Sequence, residues 1–278
     1  MKKIFILILF IFNSLLSLSQ KENEIGYIAS FNILRLGSNK KDYDEIGKIL
    51  NSFDIIGLIE VFSKNGVLKV VDSLEKYSNE DWNYHIAPYP VGTNKYKEYY
   101  AFVYRTKKVE FLKSRKYFKD TDNDFIREPY GADFKIGNMD FTFILLHSIY
   151  GKKKSQRVAE AMALDKVYDY FQNLDPIEND IIIGGDFNLS VRDYGFKKLL
   201  SHKDNIIYTI SPNIKTTIGT KGLANQYDNI FISTKYTTEF TGISGALDFT
   251  NGNFLKARSN ISDHLPIFIQ VNTLIDDD

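Results

Sequence analysis

Seven polar side chains stand where apolar runs stop or begin. They are Asn32 after Ile28-Ala29-Ser30-Phe31, Glu60 after Ile55-Ile56-Gly57-Leu58-Ile59, His147 after Phe143-Ile144-Leu145-Leu146, Asp186 and Asn188 after Ile181-Ile182-Ile183-Gly184-Gly185, and Asp263-His264 ahead of the last apolar run. Singly, each would pass as a capping or turn residue, because short polar side chains bond their own backbone at element ends. A lone histidine is likewise more often a satisfied buried imidazole than a catalyst. Together they share a chemistry. Carboxylate and amide oxygens in a chain without cysteine suit a hard divalent cation, Mg²⁺, Mn²⁺ or Ca²⁺, in preference to zinc. Histidine titrates near neutrality and suits proton transfer. A hard metal beside histidine acid–base chemistry points to phosphate ester hydrolysis.

These side chains can meet only if the apolar runs are strands of a layered fold, where functional groups gather at strand ends. Residues 25–32 are apolar and β-prone, and residues 54–59 form a short continuous apolar run, as in a strand buried on both faces. Helical spacing follows each, over residues 43–50 and 67–77. Residues 99–104, 109–112, 132–136 and 141–146 read as successive strands, with Gly137-Asn138 as a hairpin turn. From Ser155 the stripe Val158, Ala161, Leu164, Tyr168 and Phe171 predicts one long helix. Residues 180–184, 229–233 and 265–271 are further strands. No repeat or Pro/Gly/Ser linker divides the chain, so one layered α/β domain over residues 20–278 is expected.

Of 278 residues, 44% are hydrophobic and 25% charged, with 35 basic against 35 acidic. That composition supports a packed core and argues against a polycationic nucleic-acid coat, though not against a local basic groove. The absence of cysteine excludes disulfide scaffolds, thiolate nucleophiles and iron–sulfur clusters. Lys2 and Lys3 precede an apolar stretch over residues 4–12 and a small-polar stretch ending near Ser19, the layout of a secretory signal over residues 1–19. The stretch is too short to span a membrane. Its removal takes two lysines and leaves 33 basic against 35 acidic. A secreted or periplasmic protein is expected.

Ser30-Phe31-Asn32, Ile59-Glu60-Val61, Leu146-His147-Ser148, Gly185-Asp186-Phe187-Asn188, Tyr227-Asp228-Asn229 and Ser262-Asp263-His264 stand in the order of the endonuclease/exonuclease/phosphatase superfamily, which the sequence resembles. The stretch from Gly92 to Ser148, with Tyr96-Lys97-Glu98, Arg127-Glu128-Pro129 and Leu146-His147-Ser148, resembles deoxyribonuclease I in particular. The resemblance covers essentially residues 25–272. It implies a four-layer α/β/β/α sandwich, two packed mixed β-sheets flanked by helices. It implies one-step phosphodiester hydrolysis, with water attacking in line and no covalent intermediate. By motif, Glu60 would ligate Mg²⁺ or Mn²⁺, with Asn32, Asp186, Asn188 and Asp263 around the cation and the scissile phosphate. His147 and His264 would form the acid–base pair, with Glu98 and Asp228 each holding one imidazole. Arg127 would contact phosphate and Tyr96 would stack in the DNA minor groove. The implied partner is DNA, engaged through backbone and minor groove by a monomer with no stable protein partner and no membrane span.

Some positions depart from the family. Phe62 stands where deoxyribonuclease I has a groove-reading arginine, and Arg35 and the run Lys152, Lys153, Lys154 are candidate replacement phosphate contacts. The disulfide before the Tyr-Asp motif is missing, with Ala224 and Asn225 there instead, so a mobile loop over residues 216–226 is expected unless calcium orders it. Asp120, Asp122 and Asp124 suggest a structural Ca²⁺ in character, though not in spacing. The leading expectation is an exported, metal-dependent DNA endonuclease of little sequence specificity. A sphingomyelinase-like or other phosphoester hydrolase of the same superfamily is the alternative, ahead of a phosphoinositide phosphatase or a binding module that has lost catalysis.

Overall fold

The computed structural model describes residues 24–175 and 177–276; the lysine-led stretch of residues 1–19 lies outside them. Two sheets form. One runs, in spatial order, Phe240–Ala246 (β12), Ile267–Asn272 (β13), Ile25–Leu36 (β1), Ile55–Val61 (β2), Tyr96–Arg105 (β5) and Trp82–Ile86 (β3), with Val91–Thr93 (β4) also paired to β5. The other runs Ile206–Tyr208 (β10), Asp228–Ser233 (β11), Ile181–Asp186 (β9), Met139–His147 (β8), Tyr130–Ile136 (β7) and Val109–Tyr117 (β6). The pairs β1–β2 and β8–β9 are parallel and their neighbours antiparallel, so both sheets are mixed.

Three apolar layers follow from side-chain alternation. Between the sheets lie Ile28, Ile55 and Phe102 from one and Phe134, Phe143, Leu145 and Ile182 from the other. Gly57 permits this approach, because a Cβ there would collide with the Leu145 side chain. The opposite faces take the helices. Tyr43–Leu50 (α1) and Lys64–Ser78 (α2) bury Ile46, Ile49, Val67, Val70 and Leu74 against Phe31, Ile56 and Leu58. Lys154–Met162 (α3) and Leu164–Gln172 (α4) bury Val158, Ala161, Val167 and Phe171 against Ile144, Leu146 and Ile183. The architecture is the four-layer sandwich with helices outside. A short helix, Lys197–Leu200 (α5), extends the Tyr194–Phe196 turn, and Phe254–Asn260 (α6) precedes β13.

The single helix expected from Ser155 is instead two, broken at Ala163 (φ −98°, ψ 0°). The first half packs on the Tyr194–Phe196 turn, where a Cβ on Gly195 would sit 3.0 Å from Ala161 Cβ, while the second half packs on β9. Periodicity alone does not register a one-residue break between two surfaces. β3, β4, β10 and β12 were not anticipated either, and β6 is twice the expected length. The outermost strands are exposed along one face, so their apolar pattern is diluted. Among the described residues no helix is long and apolar enough to cross a membrane.

Candidate active site

Register brings the motifs together. Across β8–β9, His147 pairs with Asp186, and across β9–β11, Asp186 pairs with Asp228, so Asp186 is flanked on both sides. From the first sheet, Asn32 pairs with Ile59 across β1–β2, which puts it next to Glu60. Both strands were expected to end at these residues. They continue instead through bulges, between Asn32 and Leu36 in β1 and between Leu58 and Val61 where β2 meets β5. The backbone turns left-handed at Leu34 (φ 47°), Arg35 (φ 53°), Glu60 (φ 59°) and Asn188 (φ 51°). Asn tolerates that region, but Leu, Arg and Glu do not, and such strain costs about 1–3 kcal/mol per residue and gathers at functional sites. Here it swings the Glu60 carboxylate out of the strand.

The carboxylates are tied by amides. Asn32 Nδ2 donates to Glu60 Oε1 at 3.1 Å and to Asp186 Oδ2 at 3.2 Å, while Asn32 Oδ1 accepts from Leu34 N. Glu60 Oε2 accepts from Arg35 N at 3.1 Å and from the Tyr96 hydroxyl at 3.2 Å. Asp186 Oδ1 accepts from Asn188 N at 2.8 Å, and Asn188 Nδ2 donates to Ser148 O. Asn32 thus presents its NH₂ to the two carboxylates. Ligating a cation through Oδ1 requires its carboxamide to turn over.

Each histidine is held by a buried carboxylate. His147 Nδ1 lies 2.7 Å from Glu98 Oε1, and His264 Nδ1 lies 2.9 and 3.1 Å from the two Asp228 oxygens. The free ring nitrogens converge: His147 Nε2 is 3.7 Å and His264 Nε2 3.6 Å from the same Asp186 Oδ2, with Glu60 Oε1 3.9 Å from His147 Nε2. Burial pushes the His147 imidazole down, but Glu98 outweighs it and holds the pKa above the ordinary histidine value. Burial likewise disfavours the His264 cation, yet Asp228 and Asp186 together raise it. Burial lifts the Asp228 carboxyl in turn, against the pull of His264. Both shifts describe one proton kept between the two residues through neutral pH.

Glu60, Asp186, Asn188, Asp263, His147 and His264 line one cavity of about 570 Å³, with Tyr96 and Arg127 in its wall. Asp263 approaches Arg258 at 3.5 Å and is partly exposed. Arg127 Nε lies 3.3 Å from Glu98 Oε2 and Nη1 donates to His147 O, with the guanidinium 5.4 Å from the Tyr96 ring centroid. Phe62 packs edge-on against Tyr96 at 4.8 Å, and Arg35 lies over the same ring at 5.8 Å. The two other histidines take the bland role: His85 bonds the Tyr130 hydroxyl and stacks on Phe111, and His202 pairs with Asp169.

Several positioning residues escaped the sequence reading. Thr216, wholly buried, donates to Asp228 Oδ2 at 2.6 Å and accepts from the backbone amides of Tyr227 and Asp228. Ser262 Oγ donates to Asn32 O, linking the last turn to β1, and the Tyr100 hydroxyl accepts from His147 N. Ser262 was legible as part of the Ser262-Asp263-His264 motif, but a lone Thr or Tyr carries no spacing signal. The loop over residues 216–226, expected to be mobile, is closed by its own hydrogen bonds: Thr216 N to Asn225 O at 2.7 Å, Gly219 N to Gly222 O at 2.7 Å and Asn225 N to Thr217 Oγ1 at 2.8 Å. In the Asp120–Asp124 loop, Lys166 Nζ bridges Asp122 at 2.8 Å and Asp124 at 2.6 Å.

The model of the endonuclease/exonuclease/phosphatase family matches residues 29–264. A deoxyribonuclease of Thioalkalivibrio sp. (strain K90mix) is 30% identical over 264 residues, 90% of this chain and 72% of its own. Deoxyribonuclease-1 of Equus caballus is 29% identical over 260 residues, 86% of this chain and 90% of its own. The human nocturnin catalytic domain with bound sulfate superposes with a TM-score of 0.62 at 17% identity, covering 89% of this chain and 94% of that one, a likeness of fold. The chain belongs to the endonuclease/exonuclease/phosphatase family. Within it, the chain is a deoxyribonuclease I-like member, a hydrolase of phosphodiesters.

Proposed function

We propose that the protein is an exported, divalent-metal-dependent endonuclease that hydrolyses DNA with little sequence specificity. DNA as substrate is supported by the deoxyribonuclease relatives. The mechanism is carried by one observation: two carboxylate-held imidazoles whose Nε2 atoms converge within 3.7 Å on Asp186 Oδ2. One Nε2 takes the proton of the attacking water and the other returns a proton to the leaving oxygen. Glu98 and Asp228 fix the tautomers and favour the imidazolium. Arg127 and Asn188 hold the scissile phosphate from the cavity wall, and Tyr96 borders the groove where the strand lies.

The donor set fits a hard cation: Glu60, Asp186 and Asp263 line the cavity, and the Asn32 amide bridges the first two. Mg²⁺ or Mn²⁺ held there would offset the charge that grows on the phosphate oxygens. The Asp186–Asp228–His264 trio also lies within cation-binding distance, but the Asp228 oxygens are engaged by His264 and Thr216, which makes it an acid–base assembly. On the Asp120–Asp124 loop, Lys166 already supplies the positive charge that a structural Ca²⁺ would bring. Export rests on the lysine-led apolar stretch of residues 1–19, and residues 20–278 are read as one domain acting as a monomer.

The test is nicking of supercoiled plasmid by residues 20–278 with Mg²⁺, with EDTA, and with His147→Ala. Metal-dependent nicking lost in the variant is expected. An intact plasmid, with sphingomyelin or a phosphoinositide turned over instead, would overturn the proposal.

A further inference from the structure

Beyond Asn188 and Tyr227, which it shares with the catalytic cavity, a second groove of about 410 Å³ opens, walled by Lys154, Arg157 and Arg192. Its one carboxylate, Asp193, is already used: Lys154 Nζ pairs with Oδ2 at 2.6 Å and Gly195 N donates to Oδ1 at 3.0 Å. The two arginines are not so neutralised. Arg157 lies on the Tyr150 ring, its guanidinium carbon 4.9 Å from the centroid, and its Nε is buried without a hydrogen-bond partner. Tyr150 also lines the catalytic cavity and is 64% exposed, so the stack spans the two spaces. Arg192 donates to a neutral amide, that of Asn213. Lys152 and Lys153, next in the chain to Lys154, are exposed.

In a chain whose formal net charge is zero, this local excess of cations does not follow from a basic composition. A guanidinium laid against an aromatic face, with no carboxylate partner among the described residues, matches phosphate in charge and in the spacing of its donors. The groove leads directly away from a phosphodiester-cleaving centre. We propose that it is a second phosphate subsite, in which Arg157 and Arg192 hold a backbone phosphate of the same DNA strand beyond the scissile bond. The subsite rests on the DNA-hydrolase reading and adds to it the residues that grip the strand outside the reacting phosphate.

Arg157→Ala, Arg192→Ala and the double variant, with Arg157→Lys to keep the charge, are compared with the wild type on a DNA oligonucleotide and on bis(p-nitrophenyl) phosphate, which carries one phosphate only. KM for the oligonucleotide should rise roughly tenfold per arginine, as for loss of a charge-assisted hydrogen bond, with kcat little changed. The slope of log KM against log salt should fall by about 0.7–0.9 per arginine removed, and Arg157→Lys should recover most of it. The loss on the oligonucleotide should exceed any loss on the small diester by about the same tenfold. Equal losses on both substrates, or an unchanged KM and salt slope in a protein whose wild type cuts DNA, would overturn the subsite. A wild type that turns over the small diester but leaves DNA intact would sink the DNA-hydrolase reading itself and the subsite with it, so the two failures are told apart.

Discussion

Replacing Asp228 by Asn removes one buried charge while keeping its shape. The Asp228 oxygens lie 2.9 and 3.1 Å from His264 Nδ1, and both residues are buried, so salt screens the pair weakly. Two unit charges about 4 Å apart at an effective dielectric near 20 attract by about 4 kcal/mol, or roughly three pKa units. In the wild type that attraction, reinforced by Asp186, overcomes burial and keeps His264 raised. The imidazolium therefore persists to higher pH than in a free histidine. In Asp228→Asn, burial is opposed only by Asp186 and, more weakly, Asp263, and the imidazole proton leaves at lower pH. The alkaline limb of kcat/KM should shift acidward by two to about three pH units, and the rate at neutral pH should fall by about 10²–10⁴. The assay is hydrolysis of bis(p-nitrophenyl) phosphate and of supercoiled plasmid across pH, with circular dichroism to confirm the fold. A folded variant whose alkaline limb stays in place and whose rate is within about fivefold of wild type would refute the assignment of Asp228 to His264.

Thr216→Val should remove one hydrogen bond of the Asp228 carboxylate and leave the Tyr227 and Asp228 backbone amides without their Thr216 acceptor, at about 1–3 kcal/mol for each buried group left unpaired, and lower kcat/KM, with Thr216→Ser restoring both on thermal melts and rate assays. At Gly185 an added Cβ would collide with the Leu146 carbonyl oxygen, so Gly185→Ala should cost at least about 2 kcal/mol and lower Tm by roughly 4–8 °C; an unchanged melting curve would show that β8 and β9 have slack. Burial tends to raise the Asp175 carboxyl, but hydrogen bonds from Arg115 and the Ile177 amide hold it at about 2. Its folded pKa is thus depressed, and its stabilisation is present above the unfolded value near 4 and lost as pH falls toward about 2; the gap in urea midpoint between wild type and Asp175→Asn should close over that interval. Chelation by EDTA should abolish plasmid nicking while leaving the far-ultraviolet circular dichroism intact, because three apolar layers hold the sandwich.

What could be read from the sequence was local. Continuous apolar runs such as residues 55–59 and 181–183 mark central strands because a strand buried on both faces admits nothing else. The residue types at their ends, His147, Asp186 and His264 above all, suit proton transfer and a hard cation whatever the fold. Outer strands such as Trp82–Ile86 and Phe240–Ala246 were illegible because half of each faces water and half-polar patterns resemble loops. The break at Ala163 escaped because both halves of the stripe are apolar, and only the two surfaces beneath them differ. Its place after an apolar run set His147 apart from His85, but only tertiary contacts put one on Glu98 and the other on Tyr130. The setting of Asp186 between His147 and Asp228 depends on register across three strands, and register is chosen by the packing of both sheets and their helices at once. Likewise Thr216 becomes the support of Asp228 only when residues twelve apart in the chain are folded against each other. The chemistry was written in side-chain type, which is local, whereas its geometry arose from long-range packing, which no single stretch of the chain contains.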